Sequence, residues 1–425
     1  MNTPPRAAIL SVGDELVLGT ALDTNSRTLS AALRDAGLEV VEHRTVRDEL
    51  GAIESAMREL AARSDVLVST GGLGPTDDDL TRPALNAIVY GGAPMVEDPV
   101  ARADLESWFA GRGRPMASIN LRQAMRPRSA RIVRNPGGTA PGLHASIGAC
   151  SAWFLPGPPR EMVPMFESDV LPAVRPAGAP MLAKRTVQCF GIGESALAEL
   201  LGERMARGRD PEVGTTASGS VVSIQVVARG PGAGARAEAE AAACAAVAQP
   251  WAFAGEGGSL AGSVLEECRA AGMMLAVAES CTGGLVGGML TAVAGSSDAF
   301  AGGWISYSNE LKERELGVPR GTLEAYGAVS RETVEAMARG AAERAHAGIA
   351  VSISGIAGPG GGSDSKPVGT VWIGVHDARR GRTAARRFEF PGGREIVRDR
   401  AAKAALQLVR WALRGEDAAM IWERA

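Results

Sequence analysis

A serine and a lysine in the last third of the chain have the residue types that amide hydrolysis requires. Ser280 follows the apolar run 273–278, which has the length of a buried strand, and precedes a pattern of small and apolar residues typical of a packed helix. At such a junction a hydroxyl is exposed, and the free N–H groups of the helix face any carbonyl oxygen placed beside them. Lys312 lies just beyond a second predicted strand. Because burial lowers the pKa of a lysine, a desolvated Lys312 could take the serine proton.

These residues also have simpler interpretations. Ser and Thr cap helices routinely, and from the strand–serine–helix pattern alone capping is the more frequent role for Ser280 and Thr282. Lys312 on its own would be a solvated surface lysine. Cys281 neighbours Ser280, but no histidine lies close to it in the sequence. We therefore interpret Cys281 as a small buried side chain and not as a nucleophile.

A second group of candidate residues lies in the segment 65–89, which is typical of a strand, a glycine loop and a helix that starts at the three aspartates 77–79. The loop glycines whose backbone amides could cradle a phosphate are Gly71, Gly72 and Gly74. Consecutive carboxylates would repel a bare phosphate, so a divalent cation between them is the natural bridge. Favourable placement of acids at a helix N-terminus is an equally good explanation of the aspartates.

The predicted elements that position these residues fall into three regions. Residues 1–172 alternate strands with helices, which predicts a parallel α/β sheet with ligands beyond the carboxyl ends of its strands. Residues 178–256 combine strands such as 221–230 with an alanine-rich helix, which indicates a small α+β module followed by a linker near 251–260. Residues 258–415 are again α/β and include a long glycine loop that could wrap a phosphate.

Composition excludes several classes of protein. The chain has 425 residues, 45% of them hydrophobic, and a net charge of −3, so it exerts no broad attraction on nucleic acid. Its five cysteines show no CxxC spacing, which argues against a zinc site or a disulfide framework and favours a reducing cytoplasm. The first residues do not have the pattern of a signal peptide, and no run reaches the ~18 apolar residues of a membrane span.

The last region resembles a known family. The motifs that carry the resemblance are AESCTGG (278–284), AGSS (294–297), YSNELK (307–312), GAVS (327–330) and SISGIAGPGGGSDSKPVGTVW (352–372). Together they resemble the C-terminal domain of the CinA family over about 258–415. That domain is similar to stand-alone nicotinamide mononucleotide amidases. The resemblance implies a hydrolase that uses Ser280 as nucleophile and Lys312 as base, without a cofactor.

The same resemblance places further residues in the amidase site. Tyr307 is expected to take part in catalysis. The residues expected to bind the substrate are Thr282, Gly283, Asn309, Gly355, Gly358 and Arg394. Lys366 could add a counter-charge beside the glycine loop, although a flexible hairpin loop is the simpler alternative there. Arg394 and Arg398 lie four residues apart on one helical face and could hold a substrate phosphate, or could equally form a solvated face.

The first region resembles the CinA N-terminal domain, which is similar to the molybdopterin-binding fold. The motifs are SVGDELVLG (11–19), TGGLGPTDDDLTR (70–82), NPGGTAPG (135–142) and LPGPPREMVPMFE (155–167). The resemblance implies hydrolysis of ADP-ribose to AMP and ribose 5-phosphate with a divalent metal, Mg, Mn or Co. It implies Asp79, Asp48, Asp78 and Glu15 as metal ligands and Asn25 as a substrate contact. Where the family more often has lysine, this chain has Asp77, which adds negative charge beside the phosphates.

The middle region resembles the KH-like connecting domain of CinA proteins. It lacks the basic GxxG loop of nucleic-acid KH modules, so we expect a spacer and dimerisation element. The combined expectation is a cytoplasmic homodimer that acts on nicotinamide mononucleotide and ADP-ribose in pyridine nucleotide recycling, with no nucleic-acid or membrane partner. The alternative is a non-catalytic nucleotide- or pterin-binding protein linked to competence or DNA damage.

Overall fold

A computed structural model describes residues 4–176, 182–254 and 258–424. The chain divides into two compact units, Met1–Pro180 and Met181–Ala425. The predicted boundary at 178 and part of the predicted linker, 255–257, lie outside the described residues. Across the described ranges, no helix has the length and apolarity needed to cross a bilayer.

The first unit is built on a six-stranded sheet. Its strands and those of a small two-stranded ladder are β1 (Arg6–Val12), β2 (Glu39–Val46), β3 (Val66–Thr70), β4 (Val96–Glu97), β5 (Met125–Arg126), β6 (Arg131–Val133), β7 (Gly142–Ile147) and β8 (Cys150–Leu155). The sheet order is β2-β1-β3-β8-β7-β6, and β4 pairs with β5. The first four strands are parallel, as predicted. β7 is antiparallel to both of its neighbours, β8 and β6. A tight hairpin at Gly148, which has a positive φ of 61°, joins β7 to β8.

Helices cover both faces of this sheet. They are α1 (Asp14–Val17), α2 (Thr24–Asp35), α3 (Leu50–Ala61), α4 (Thr81–Tyr90), α5 (Pro99–Ala110), α6 (Pro159–Met165) and α7 (Leu171–Val174), with a 3-10 helix at Ser118–Ala124 and a π turn at Phe166–Val170. Leu10 of β1 packs with α3 and α4, whereas its neighbour Ile9 packs with α2 and α6. The aspartates 77–79 precede α4 and do not start it, which corrects the prediction.

The second unit begins with the α+β module. It contains β9 (Leu182–Phe190), β10 (Glu212–Ser218), β11 (Val221–Arg229) and β12 (Ala252–Ala254), with α8 (Glu194–Leu201), a 3-10 helix at Gly202–Met205 and α9 (Ala233–Val247). The strands form an antiparallel sheet in the order β10-β11-β9-β12. Residues along β11 alternate between buried and half-buried because one face packs on the helices. The edge strand β12 lies within the predicted bounds 178–256 of the module, in the stretch that was also predicted to begin the linker.

The second unit ends with an α/β domain. Its elements are α10 (Leu260–Ala270), β13 (Leu275–Glu279), α11 (Leu285–Thr291), a 3-10 helix at Ser296–Asp298, β14 (Phe300–Ile305), α12 (Asn309–Leu316), α13 (Arg320–Tyr326), α14 (Arg331–Ala345), β15 (Ile349–Gly355), β16 (Thr370–Asp377), β17 (Arg382–Glu389), α15 (Arg394–Arg414) and β18 (Glu423–Arg424). The sheet order is β14-β13-β15-β16-β17-β18, with the first three strands parallel. β18 and the buried Met420 belong to this domain, so it extends past the predicted end at 415.

A buried arginine connects the α+β module to this last domain. Arg410 of α15 is fully buried and donates to the Glu267 carboxylate at 2.9 Å and to the Ala252 carbonyl at 3.1 Å. The side chains of Gln407 and Trp411 both donate to the Pro250 carbonyl, at 3.0 and 2.9 Å. These contacts fix the chain around residues 250–252 to α15 and α10.

Replacing Arg410 with alanine should destabilise the second unit by on the order of 3–5 kcal/mol, because it leaves the Glu267 carboxylate without its buried partner. Urea unfolding of the intact chain measures the change. Arg414→Ala is the matched control, since Arg414 contacts the same carboxylate from a more exposed position and should cost less than about 1 kcal/mol. Equal effects of the two changes would contradict this account of the buried pair.

Candidate active site

Ser280 and Lys312 lie together in the second unit. The Nζ atom of Lys312 is 3.3 Å from the Oγ atom of Ser280. Ser280 directly follows β13, and its N–H donates to the Ile353 carbonyl of the neighbouring strand at 2.9 Å. Lys312 is in α12, whose first turn is capped by the hydroxyl of Ser308. The structure therefore brings the predicted pair together, with Lys312 on the helix that follows β14.

The lysine is held in a dry setting by two carbonyl groups. Its Nζ donates to the carbonyl oxygens of Ser306 at 2.8 Å and Tyr307 at 3.2 Å. Lys312 is only 1% exposed, and this burial lowers its pKa. A neutral amine has two N–H groups, which the two carbonyls accept, so its lone pair is left for the Ser280 hydroxyl. The arrangement suits a base that removes the serine proton.

The amides at the start of α11 do not face a substrate, which corrects the prediction. The Glu279 carboxylate accepts from the N–H groups of Gly284 at 3.0 Å, Val286 at 3.1 Å and Gly287 at 2.8 Å. Glu279 is buried and directly precedes Ser280. A carboxylate is favoured at a helix N-terminus, and here it occupies the donors that we expected to hold the substrate oxygen.

Thr282 remains a candidate donor in the turn between Ser280 and α11. Its hydroxyl is buried and has no hydrogen-bond partner among the residues that the structure describes. Its carbonyl accepts a hydrogen bond from Arg398 at 2.7 Å, so Arg398 holds the turn against α15. Arg398, a candidate phosphate contact, is therefore bonded within the protein. Gly283, in the same turn, is exposed and has a positive φ of 61°, a conformation that favours glycine.

Three other predicted residues lie together near this turn. The guanidinium of Arg394 donates to the Gly358 carbonyl at 2.9 Å and is 3.4 Å from the Tyr307 hydroxyl. The Tyr307 side chain is 61% exposed, and its own carbonyl contacts the lysine. Arg394 thus joins the glycine loop to the residues around Lys312.

The remaining predictions for this domain receive less support from the contacts. Asn309 is exposed at the first turn of α12. Gly355 is required by packing, because a Cβ atom there would lie 2.8 Å from the Thr370 carbonyl oxygen. The Lys366 ammonium donates to the Tyr326 carbonyl at 3.2 Å. Burial raises the pKa of Cys281 to about 12, so its thiol is a poor nucleophile, as expected.

The first unit contains a cavity of about 510 Å³ beside the ends of β1 and β3. It is lined by every residue predicted for this site, namely Glu15, Asn25, Asp48, Gly71, Gly72, Gly74, Asp78 and Asp79. Asn25 donates to Thr70 and to the Gly157 carbonyl, and its side-chain oxygen is buried with no partner in the described part of the chain. The cavity therefore offers an acceptor that a ligand could satisfy.

The glycine loop is organised differently from the prediction. The N–H of Gly71 donates to the Leu155 carbonyl at 3.0 Å, and the N–H of Gly74 donates to the Asp79 carboxylate at 2.7 Å. Asp79 also accepts from the backbone of Thr76 at 2.8 Å. Of the three glycines predicted to cradle a phosphate, two use their amides within the fold. The Asp79 carboxylate, predicted as a metal ligand, faces its own loop and accepts hydrogen bonds from it.

The other acids give the cavity a strongly negative character. Burial raises the pKa of Asp48, and the carboxylates of Asp14, Glu15 and Asp78 add to the rise. A cation would relieve this repulsion, so these acids fit a metal by their chemistry. In the described ranges, however, no three His, Cys, Asp or Glu side chains already form a metal-holding cluster.

The surroundings of two acidic residues, Asp77 and Glu161, differ from those that the sequence predicts. Asp77, expected to add charge beside the phosphates, is 91% exposed and pairs with Arg122. Glu161, to which the sequence analysis gave no chemical role, is buried, lines the cavity and accepts from the Asn135 amide at 2.8 Å. The sequence predicts that Glu161 lies at the start of a helix after a proline loop. It does not predict that the Glu161 side chain lines the cavity.

Comparisons with known proteins assign each region of the chain. Residues 8–176 match the probable molybdopterin binding domain, 184–249 the damage-inducible protein CinA KH domain, and 258–413 the CinA C-terminal domain. A competence-damage inducible protein of Symbiobacterium thermophilum is 43% identical over 425 residues, which cover 96% of this chain and 99% of the relative. A CinA-like protein of Gemmatimonas aurantiaca is 40% identical over 426 residues, covering 97% and 98%. The crystal structure of competence/damage inducible protein CihA from Agrobacterium tumefaciens shares 42% identity, covers 36% of this chain and 93% of that one, and has a TM-score of 0.35.

Replacing Lys312 with methionine should change how stability depends on pH. Burial lowers the pKa of Lys312 in the folded chain, whereas an unfolded lysine titrates near 10.4. Between the two values the unfolded chain binds more protons, so the lysine's contribution to stability rises with pH. The free energy of unfolding of the wild type minus that of K312M should therefore increase as pH rises towards 10.4, by at most about 1.4 kcal/mol per pH unit.

Urea unfolding over a series of pH values measures this difference, and Lys366→Met controls for the loss of a lysine as such. A difference between wild type and K312M that does not change with pH would contradict the lowered pKa of Lys312.

Proposed function

This chain belongs to the CinA family, and we propose that its C-terminal domain hydrolyses nicotinamide mononucleotide to nicotinate mononucleotide and ammonia. The observation that carries the proposal is the 3.3 Å contact between the Lys312 amine and the Ser280 hydroxyl. A buried amine without a carboxylate counter-charge is the feature that a serine amidase needs in place of a histidine.

The reaction follows from these two side chains. Ser280 Oγ attacks the carboxamide carbon while Lys312 takes the hydroxyl proton. The C–N bond then breaks, and Lys312 returns the proton to the departing nitrogen, which leaves as ammonia. A water molecule, deprotonated by the same amine, hydrolyses the resulting ester and frees Ser280. Nucleophile and base both come from the chain, so the proposal includes no cofactor for this domain.

The groups around the pair suit a nucleotide substrate. Arg394 carries a charged planar group near the glycine loop and is the proposed phosphate contact. Tyr307 exposes its ring beside that arginine and can pack on the pyridine. The Thr282 hydroxyl, buried without a described partner, is the proposed donor to the carbonyl oxygen of the substrate.

Purified protein should release ammonia from nicotinamide mononucleotide, and Ser280→Ala and Lys312→Ala should each lower the rate by more than about a thousandfold because they remove the nucleophile or its base. Ammonia and nicotinate mononucleotide are measured together. Cys281→Ala is the matched control, since it removes the adjacent buried thiol and should retain activity. Activity that survives both S280A and K312A, or that is lost in C281A alone, would reject the mechanism.

For the first unit we propose metal-dependent hydrolysis of ADP-ribose to AMP and ribose 5-phosphate. The cavity lined by Glu15, Asp48 and Asp78 supports it, since these carboxylates would hold Mg, Mn or Co. When bound, such an ion would screen the charge of the pyrophosphate and polarise it. Asn25 would contact the substrate through its unpaired oxygen, and Asp79 would keep the loop in shape.

Asp48→Asn should reduce AMP formation from ADP-ribose by more than about tenfold, because it removes a carboxylate that would hold the cation. The assay follows AMP at a series of Mg, Mn and Co concentrations. Asp77→Asn is the matched control, as this exposed aspartate does not line the cavity. No AMP from the wild type at any metal concentration would leave this unit as a nucleotide- or pterin-binding module linked to competence or DNA damage.

Both proposed substrates are fragments of NAD, so the two activities would serve pyridine nucleotide recycling. The homodimer implied by the resemblance, with no nucleic-acid partner, stays a prediction.

A further inference from the structure

Ser306 lies beside the proposed nucleophile at the same edge of the sheet. Strands β13 and β14 are parallel, and Glu279 pairs with Ile305. The next residue on each strand is therefore Ser280 on one and Ser306 on the other. The N–H of Ser306 donates to the Glu279 carbonyl at 2.8 Å, and its own carbonyl accepts from Lys312 at 2.8 Å. Ser306 thus contacts both strands and the lysine through its backbone.

No contact among the described residues explains why residue 306 carries a hydroxyl group. The residue is 1% exposed, and its Oγ has no hydrogen-bond partner among the described residues. Two buried serines on β15 behave differently, since Ser352 donates to the Val334 carbonyl and Ser354 to the Ala328 carbonyl. A buried hydroxyl without a partner costs stability, and alanine at this position would avoid the cost.

We propose that the Ser306 hydroxyl binds the amide nitrogen of the substrate, an inference that rests on the proposed amidase function. Lys312 must deliver its proton to the departing nitrogen, so that nitrogen has to come within reach of an amine held 2.8 Å from the Ser306 carbonyl. None of the described residues forms a hydrogen bond with this hydroxyl, so no contact among them fixes its rotation about the Cα–Cβ bond. Its oxygen accepts an N–H of the carboxamide and keeps that contact as the C–N bond breaks and ammonia forms.

This role makes Ser306 a specificity residue for primary amides. A carboxamide keeps N–H groups for the hydroxyl oxygen until ammonia leaves. The leaving oxygen of the corresponding ester has none and could only accept the Ser306 proton, in competition with the proton from Lys312. The contact would therefore favour the amide substrate over an ester of the same acid. The substrate class is a pyridine nucleotide with an unsubstituted carboxamide.

The test compares wild type, Ser306→Ala and Ser352→Ala on two substrates, nicotinamide mononucleotide and the methyl ester of nicotinate mononucleotide. S306A should lower kcat/KM for the amide by about tenfold or more, with little change for the ester. Its thermal unfolding midpoint should stay the same or rise, since an unsatisfied hydroxyl is removed. S352A should show the opposite pattern, a lowered midpoint with amide activity retained. Ser306→Thr, which keeps a hydroxyl, should recover part of the amide activity.

If the wild type is active, two results would overturn the role of Ser306. In one, S306A hydrolyses the amide as well as the wild type does; in the other, S306A loses amide and ester activity in parallel. A lowered unfolding midpoint in S306A would also overturn it, because the hydroxyl would then have a structural partner. A wild type that releases no ammonia would instead reject the amidase proposal itself.

Discussion

The burial of one amine between two backbone carbonyls determines what the second unit can do. Lys312 is nearly inaccessible to water, and its hydrogen bonds to Ser306 and Tyr307 use neutral acceptors. A carboxylate in that position would keep the amine charged, whereas carbonyl oxygens fix its direction and leave its pKa lowered by burial. In the proposed reaction this amine is the base for the Ser280 hydroxyl, in place of the histidine and aspartate that other serine hydrolases use.

The carboxylate of Glu279 binds the start of the helix that follows Ser280. It accepts hydrogen bonds from three N–H groups there. Glu279 thereby braces the turn that carries Ser280, while Arg398 fastens the same turn from α15. Parallel pairing of β13 with β14 places Ser306 next to Ser280. Three short segments at the edge of a parallel sheet thus bring together the proposed nucleophile, the proposed base and the neighbouring hydroxyl.

The sequence was informative where function depends on residue type and motif. It was less informative where function depends on which partner a side chain faces. Ser280 and Lys312 could be predicted because the motifs that contain them are specific. The role of Glu279 could not, because the same helix N-terminus can receive a substrate oxygen or a side chain, and only tertiary packing decides. Asp79 shows the same limit, since a carboxylate at that position can face a metal or its own loop. Ser306 became visible only through strand register and the absence of a described partner for its hydroxyl.

NMR can measure directly whether Lys312 is a neutral base at the pH where the protein works. The chain contains four lysines, Lys184, Lys312, Lys366 and Lys403. Lysine labelled with ¹³C at the ε position would give four resonances, of which that of Lys312 is assigned by its loss in K312M. We expect this resonance to titrate well below the ordinary lysine value of about 10.4, because burial lowers the pKa of Lys312. A Lys312 signal that titrates at or above the ordinary lysine value of about 10.4 would contradict it.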